Sequence, residues 1–334
     1  MNIMVMLNKY GLDWKKCFLI ALLAGILFLF LSAVYYSRNE YTKWEIIRND
    51  ADSSLLKAGY LQKEGSFLEA RDEYEGILKN ISSNRFPDEY TITQNNLGYI
   101  YQNLAKTQDE EANIKKAIKA FSESLKISTK DRNIIDYAQT YNDLGDAYRT
   151  LAEISDKKAN LEKAISAYQE TLKLRPADDY PIPYANTQNN LGISYRMLAE
   201  IIDEEQNLKK AFNAHYEALI IYNDEKDTIG YAATQNDLGN TYMVLAEIKN
   251  KDSNIENAID AFNEALIIRT IETYPEEHAI TQENLGNAYR MLAEDKDKDS
   301  NINKSLNAYQ AALVIFTEEK YPKKYQEIIS KMQK

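Results

Sequence analysis

The segment Thr187-Gln188-Asn189-Asn190-Leu191-Gly192-Ile193-Ser194-Tyr195-Arg196-Met197-Leu198-Ala199-Glu200 recurs along the chain. Its Leu-Gly pair falls at Leu97-Gly98, Leu144-Gly145, Leu191-Gly192, Leu238-Gly239 and Leu285-Gly286, always 47 residues apart. A fixed period of this length marks stacked supersecondary units. Each unit carries two amphipathic patterns. The first, helix A, reads Leu-Gly-x-x-Tyr-x-x-Leu-Ala, from Leu97 to Ala105 and on to Leu285 to Ala293. Leu, Tyr and Leu at i, i+4 and i+7 share one helical face. The glycine beside that face costs up to about 1 kcal/mol against alanine. Its recurrence predicts a neighbouring helix too close for a side chain.

The second pattern, helix B, begins at Asn113, Asn160, Asn207, Asn254 and Asn301. A small residue follows at Ala117, Ala164, Ala211, Ala258 and Ser305, then a large one at Phe121, Tyr168, His215, Phe262 and Tyr309. The repeated Asn reads as an N-cap or first-turn residue. Pro87, Pro181, Pro275 and Pro322 open A helices, where a missing N–H costs nothing, while Ile134 and Thr228 take that place in the second and fourth units.

These residues resemble the tetratricopeptide repeat family, in a variant with longer turns. Leu-Gly, a Tyr three residues after the Gly, the Ala, aromatic and small residues of helix B, and the Pro all match. The family's first-helix Trp is replaced by Gln94, Gln188, Gln235 and Gln282, and by Tyr141 in the second unit. The usual unit is about 34 residues; here the extra length falls in the turns. Ala58, Leu61, Gly65, Phe67, Ala70 and Tyr74 fit the ordinary spacing. The resemblance covers about residues 55–334: a first hairpin at 55–80, five units over about 87–320, and a closing helix at 322–334. It implies an all-α fold, a right-handed α-solenoid of stacked antiparallel helix pairs. Solenoids need closing helices because a terminal repeat has no neighbour to bury its face.

Ahead of the repeats, Cys17 to Tyr36 contains no charge. Twenty apolar residues match a hydrocarbon core of about 30 Å, and Trp14, Tyr35 and Tyr36 suit its interfaces. The expectation is a transmembrane anchor at 17–36, after a short tail at 1–16 and before a juxtamembrane linker or helix at 37–54. The free amino terminus with Lys15 and Lys16 places the N-terminus inside and the repeats outside the cytoplasm. A cleaved signal peptide ending near Ala33, giving a secreted protein, and a cytoplasm-facing repeat domain are the alternatives. The apolar run is longer than the 7–15 residues of a signal peptide.

Composition narrows the function classes. The chain has 334 residues, 51 acidic and 40 basic, for a net charge of -11. That balance argues against wrapping nucleic acid, which needs clustered Lys and Arg. One cysteine excludes an intramolecular disulfide. No phosphate loop, metal spacing or nucleophile elbow appears. The expectation is therefore a non-enzyme, with no cofactor, no metal and no small-molecule substrate.

The resemblance implies that helix A lines a concave groove with the positions three before the Gly and one and four after it; the residue just after the Gly varies freely, and the other two are the informative ones. The first is Asn95, Asn142, Asn189, Asn236 and Glu283; the second is Gln102, Arg149, Arg196, Met243 and Arg290. An amide can both donate to and accept from an extended peptide backbone. Asn95, Asn142, Asn189, Asn236, Arg149, Arg196 and Arg290 are thus the candidate partner-binding residues. The same Asn ladder also reads as structural glue between units. The leading function is a membrane-tethered scaffold binding an extended segment of a partner protein in the groove. The alternative is a ligand-responsive regulatory or sensory module that acts through a separate output partner.

Overall fold

The computed structural model describes residues 14–128 and 133–333, with side chains from residue 26 onward. Among the described residues the chain is wholly helical, with thirteen helices and no strand. It divides into two compact units, Met1–Thr93 and Gln94–Lys334.

In the first unit, α1 (Trp14–Lys63) packs against α2 (Phe67–Asn80). Gly65 ends α1 at φ 77°, with Ser66 N–H on Leu61 O and Gly65 N–H on Gln62 O. This paired closure needs a left-handed residue, which glycine adopts without a Cβ clash. Ala58, Ala70, Tyr74 and Ile77 fill the contact.

The membrane anchor expected at 17–36 is corrected here. Among the described residues no helix is long and apolar enough to cross a membrane. The described side chains of that run are residues 26–36, roughly 16 Å of helix at 1.5 Å per residue, half a hydrocarbon core. α1 then continues unbroken into Arg38, Glu40, Lys43, Glu45 and Arg48. The side chains at 14–25, including Trp14, Lys15, Lys16 and Cys17, lie outside the described residues. The single-pass localisation is overturned with the anchor.

From Gln94 onward the second unit is a stack of helix pairs. The last turns of α3 (Pro87–Ala105) precede α4 (Glu110–Ile127). Then come α5 (Ile134–Ile154) with α6 (Lys157–Leu174), α7 (Pro181–Ala199) with α8 (Glu204–Glu225), and α9 (Thr228–Ile248) with α10 (Lys251–Ile268). The stack ends with α11 (Pro275–Leu292), α12 (Lys298–Leu313) and α13 (Pro322–Met332). Within each pair from α5 onward the helices pack together, and each second helix packs on the first helix of the next pair.

The repeated glycines explain how closely they pack. A Cβ on Gly98 would lie 2.4 Å from the Phe121 ring, on Gly145 2.6 Å from Tyr168, and on Gly192 2.6 Å from His215. The large residue of helix B occupies the space that the helix A side chain vacates.

The turns inside each pair are equally regular. Asp109, Asp156, Asp203, Asn250 and Asp297 precede the B helices with φ between 42° and 49°. Four residues later, Asn113, Asn160, Asn207, Asn254 and Asn301 each donate Nδ2 to the carbonyl five residues back, at 2.7–2.8 Å. The helix B Asn is therefore a first-turn residue that locks the preceding left-handed turn. Where Pro is missing from the start of helix A, a side chain caps instead. Asn133 accepts from Ile135 N and Asp136 N, and Asp227 accepts from Gly230 N.

Candidate interaction groove

The first helices α5, α7, α9 and α11 bring the ladder positions together along the stack. Asn142, on α5, accepts from Thr187 Oγ1 of α7 at 3.2 Å and donates to Asp146 Oδ2 at 3.3 Å. Asn189, on α7, donates Nδ2 to Asp237 Oδ2 of α9 at 2.8 Å. Asn236, on α9, accepts from Asn284 Nδ2 of α11 at 3.0 Å. Glu283 ends the series, only 4% exposed, with Lys324 at 2.8 Å and Lys331 at 2.7 Å from α13. From the second unit onward, each unit is thus tied through this position to the element that follows it. Asn95 differs: its Oδ1 is buried without a hydrogen bond.

Asn189 also fixes a buried histidine. With Nδ2 on Asp237, its Oδ1 faces His215 Nδ1 at 2.9 Å and can only accept. The imidazole proton is therefore on Nδ1. His215 is fully buried, and burial, with Arg196 nearby, pushes its pKa down to about 3. A sealed, neutral imidazole of this kind is a packing element.

The arginines lie two turns further along, seven residues after the ladder position. Arg149 Nε donates to Tyr168 Oη at 3.4 Å, and Tyr168 donates to Asp146 Oδ1 at 2.7 Å. Arg196 pairs with Glu200 at 3.2 Å along its own helix, while its Nε is buried and unbonded. Arg290 takes the equivalent place on α11, partly exposed. The residue after each Gly follows the helix B partner. Where helix B offers a tyrosine, an acceptor stands opposite: Asp146 for Tyr168, and Asn287 for Tyr309 at 2.8 Å.

Two carboxylates here escaped the sequence reading. Burial raises the Asp143 pKa to about 6, although Gln139 donates to it at 2.8 Å. Burial also raises that of Asp237, against the Asn189 hydrogen bond. The signal was present two residues before the Gly, where every unit carries a short polar side chain: Asn96, Asp143, Asn190, Asp237 and Asn284. Of the acidic run in the last turn, Asp295 pairs with Lys251 at 2.5 Å.

A tetratricopeptide-repeat family model matches residues 138–178, which are α5, α6 and the turn after them. The match supports the tetratricopeptide reading of these repeats. Three solved structures illustrate the likeness. A Pyrococcus horikoshii signal-transduction ATPase with a tetratricopeptide sensor aligns at TM-score 0.49 and 16% identity, over 84% of this chain and 42% of that one. This chain therefore spans less than half the length of that protein. The apo form of RapI aligns at TM-score 0.48 and 16% identity, over 85% of this chain and 95% of that one. The S. pombe nuclear import adaptor Nro1 aligns at TM-score 0.40 and 15% identity, over 86% of this chain and 99% of that one. No curated protein matches the sequence. These likenesses carry no functional inference.

Proposed function

We propose that this chain is a non-enzymatic scaffold that binds an extended segment of a partner protein along the face of its first helices. The observation that carries the reading is the ladder itself. Asn142, Asn189 and Asn236 each make an amide hydrogen bond to the following unit, which fixes the spacing of the arginines two turns away. Arg149, Arg196 and Arg290 then form a register of partly exposed guanidiniums, one on each of three units. A guanidinium presents a planar fork of donors that suits carboxylates and carbonyls. Asn189 and Asn236 are nearly buried, so they serve the partner mainly by holding this register.

Affinity purification with the full chain, followed by mass spectrometry, identifies the partner. Binding isotherms then compare the wild type with Arg149→Ala/Arg196→Ala. A hydrogen bond to a charged group contributes about 1.5–3 kcal/mol. Losing two is expected to weaken binding by roughly two orders of magnitude, with helicity unchanged. Normal binding by the double variant would sink the groove reading.

A further inference from the structure

A second surface lies on the other helix of each pair. Ile220, Ile267 and Val314 occupy one repeat position, 47 residues apart, on α8, on α10 and at the C-cap of α12. They are 61%, 70% and 61% exposed. Equivalent positions of stacked units recur along the stack, so three successive units each contribute one exposed β-branched side chain to a discontinuous strip.

The first two units show what a solvated version of this position looks like. There it holds Lys126 and Lys173, which pair with Glu123 and Glu170 at 2.6 Å and 2.5 Å, one turn earlier on the same helix. In the third and fourth units the glutamate is still present, as Glu217 and Glu264, but the lysine has become isoleucine. The acid has lost its neighbouring base at the same place where an exposed apolar side chain has appeared; Glu217 accepts instead from Gln188 Nε2 and, at 3.3 Å, from Tyr184 Oη, neutral donors that leave its charge uncompensated. Asp224 and Glu318 add two further exposed carboxylates within four residues of the strip. No Lys or Arg lies three or four residues from any of the three strip residues, the distances at which helix side chains meet.

We propose that Ile220, Ile267 and Val314 form a docking strip for an amphipathic helix of a partner protein that carries apolar residues flanked by lysine or arginine. The partner's apolar face covers the strip, and its cations replace the missing lysines beside Glu217 and Glu264. Helix-on-surface recognition of this kind uses anchors at i, i+3, i+4 and i+7. The strip is separate from the arginine register, so one solenoid offers two surfaces for two kinds of segment.

The probe is a synthetic amphipathic peptide of leucine and lysine, with leucines at that helical spacing, read by fluorescence anisotropy against the full chain. A second peptide with glutamate in place of lysine is the charge control. Ile220→Lys/Ile267→Lys restores the residue that the first two units carry, so the fold is expected to tolerate it. The leucine-lysine peptide should bind the wild type, and this variant should weaken it at least tenfold. Glu217→Gln/Glu264→Gln should weaken it severalfold and reduce its salt dependence, with no change to the apolar strip. Arg149→Ala/Arg196→Ala should leave it unchanged, which separates this surface from the proposed groove. Equal binding by wild type and Ile220→Lys/Ile267→Lys, or equal binding of the glutamate peptide, overturns the proposal. So does a concentration-dependent dimer of the full chain in sedimentation that the lysine variant abolishes, since the strip would then serve a second copy.

Discussion

Asn189 and Asp237 lie 48 residues apart in sequence and 2.8 Å apart in space, amide nitrogen to carboxylate oxygen. The oxygen of the same amide accepts from His215 Nδ1 at 2.9 Å. One side chain on α7 therefore joins its own unit's second helix to the next unit's first. Removing it leaves a buried imidazole N–H and a buried carboxylate without their partner, which costs about 1–3 kcal/mol. Asn189→Ala is expected to lower stability by that amount in urea unfolding. Asp237→Ala combined with it should fall short of additivity by about 0.5 kcal/mol or more. Additive losses would mean that the pair does not couple the units.

The glycines give a sharper packing test. Gly192→Ala would place a Cβ 2.6 Å from the His215 ring, which is fully buried and has nowhere to move. Overpacking of this kind costs about 1–3 kcal/mol. A Cβ on Gly76, inside α2, would meet nothing within 4 Å, so Gly76→Ala should instead stabilise by about 0.5–1 kcal/mol. Melting temperatures shifting in opposite directions are the expected outcome.

His215 makes stability sensitive to acid. Its folded pKa of about 3 lies below the roughly 6.5 of an unfolded chain. Between these values the unfolded state binds a proton that the native state refuses. Stability is therefore intact above about pH 6.5 and falls as pH drops toward 3, by up to about 1.4 kcal/mol per pH unit. His215→Phe places there the residue that Phe121 and Phe262 already provide. Its unfolding free energy should be flatter between pH 6.5 and pH 4; an unchanged slope would assign the acid sensitivity elsewhere.

Asp143 acts in the opposite sense. Its carboxyl stays protonated up to about pH 6 in the folded chain, against about 3.9 when unfolded. Its contribution is present at low pH and is lost as pH rises through 6. Asp143→Asn, the residue found at Asn96, Asn190 and Asn284, should match the wild type near pH 4. Above pH 6 it should be the more stable protein, by up to about 3 kcal/mol before solvent screening reduces the gain. Chemical denaturation at the two pH values checks this.

Much of the fold was legible in the residues. The 47-residue spacing, the i, i+4, i+7 faces and the repeated glycine all express local helix geometry, which sequence encodes directly. The recurrence of that glycine was enough to anticipate a close approach, while the helix B ring that makes it was identified only by the structure. The apolar run at 17–36 misled because hydropathy alone reads a span, whereas α1 carries its described apolar residues straight into a charged segment of the same helix.

The candidate residues show where sequence stops. That Asn142, Asn189 and Asn236 recur at one position is a property of the chain; where each amide points is not. Donor and acceptor choice depends on what the adjacent unit presents, and that differs: a threonine, an aspartate, an asparagine. The proton on His215 Nδ1, the burial of Asp143 and Asp237, and the exposure of Ile220 and Ile267 are likewise set only when units stack. Each is an energy of desolvation or pairing between residues distant in the chain. Periodicity fixes the helices and their order, because those interactions are local. Stacking decides which polar atoms are sealed and which side chains are left for a partner.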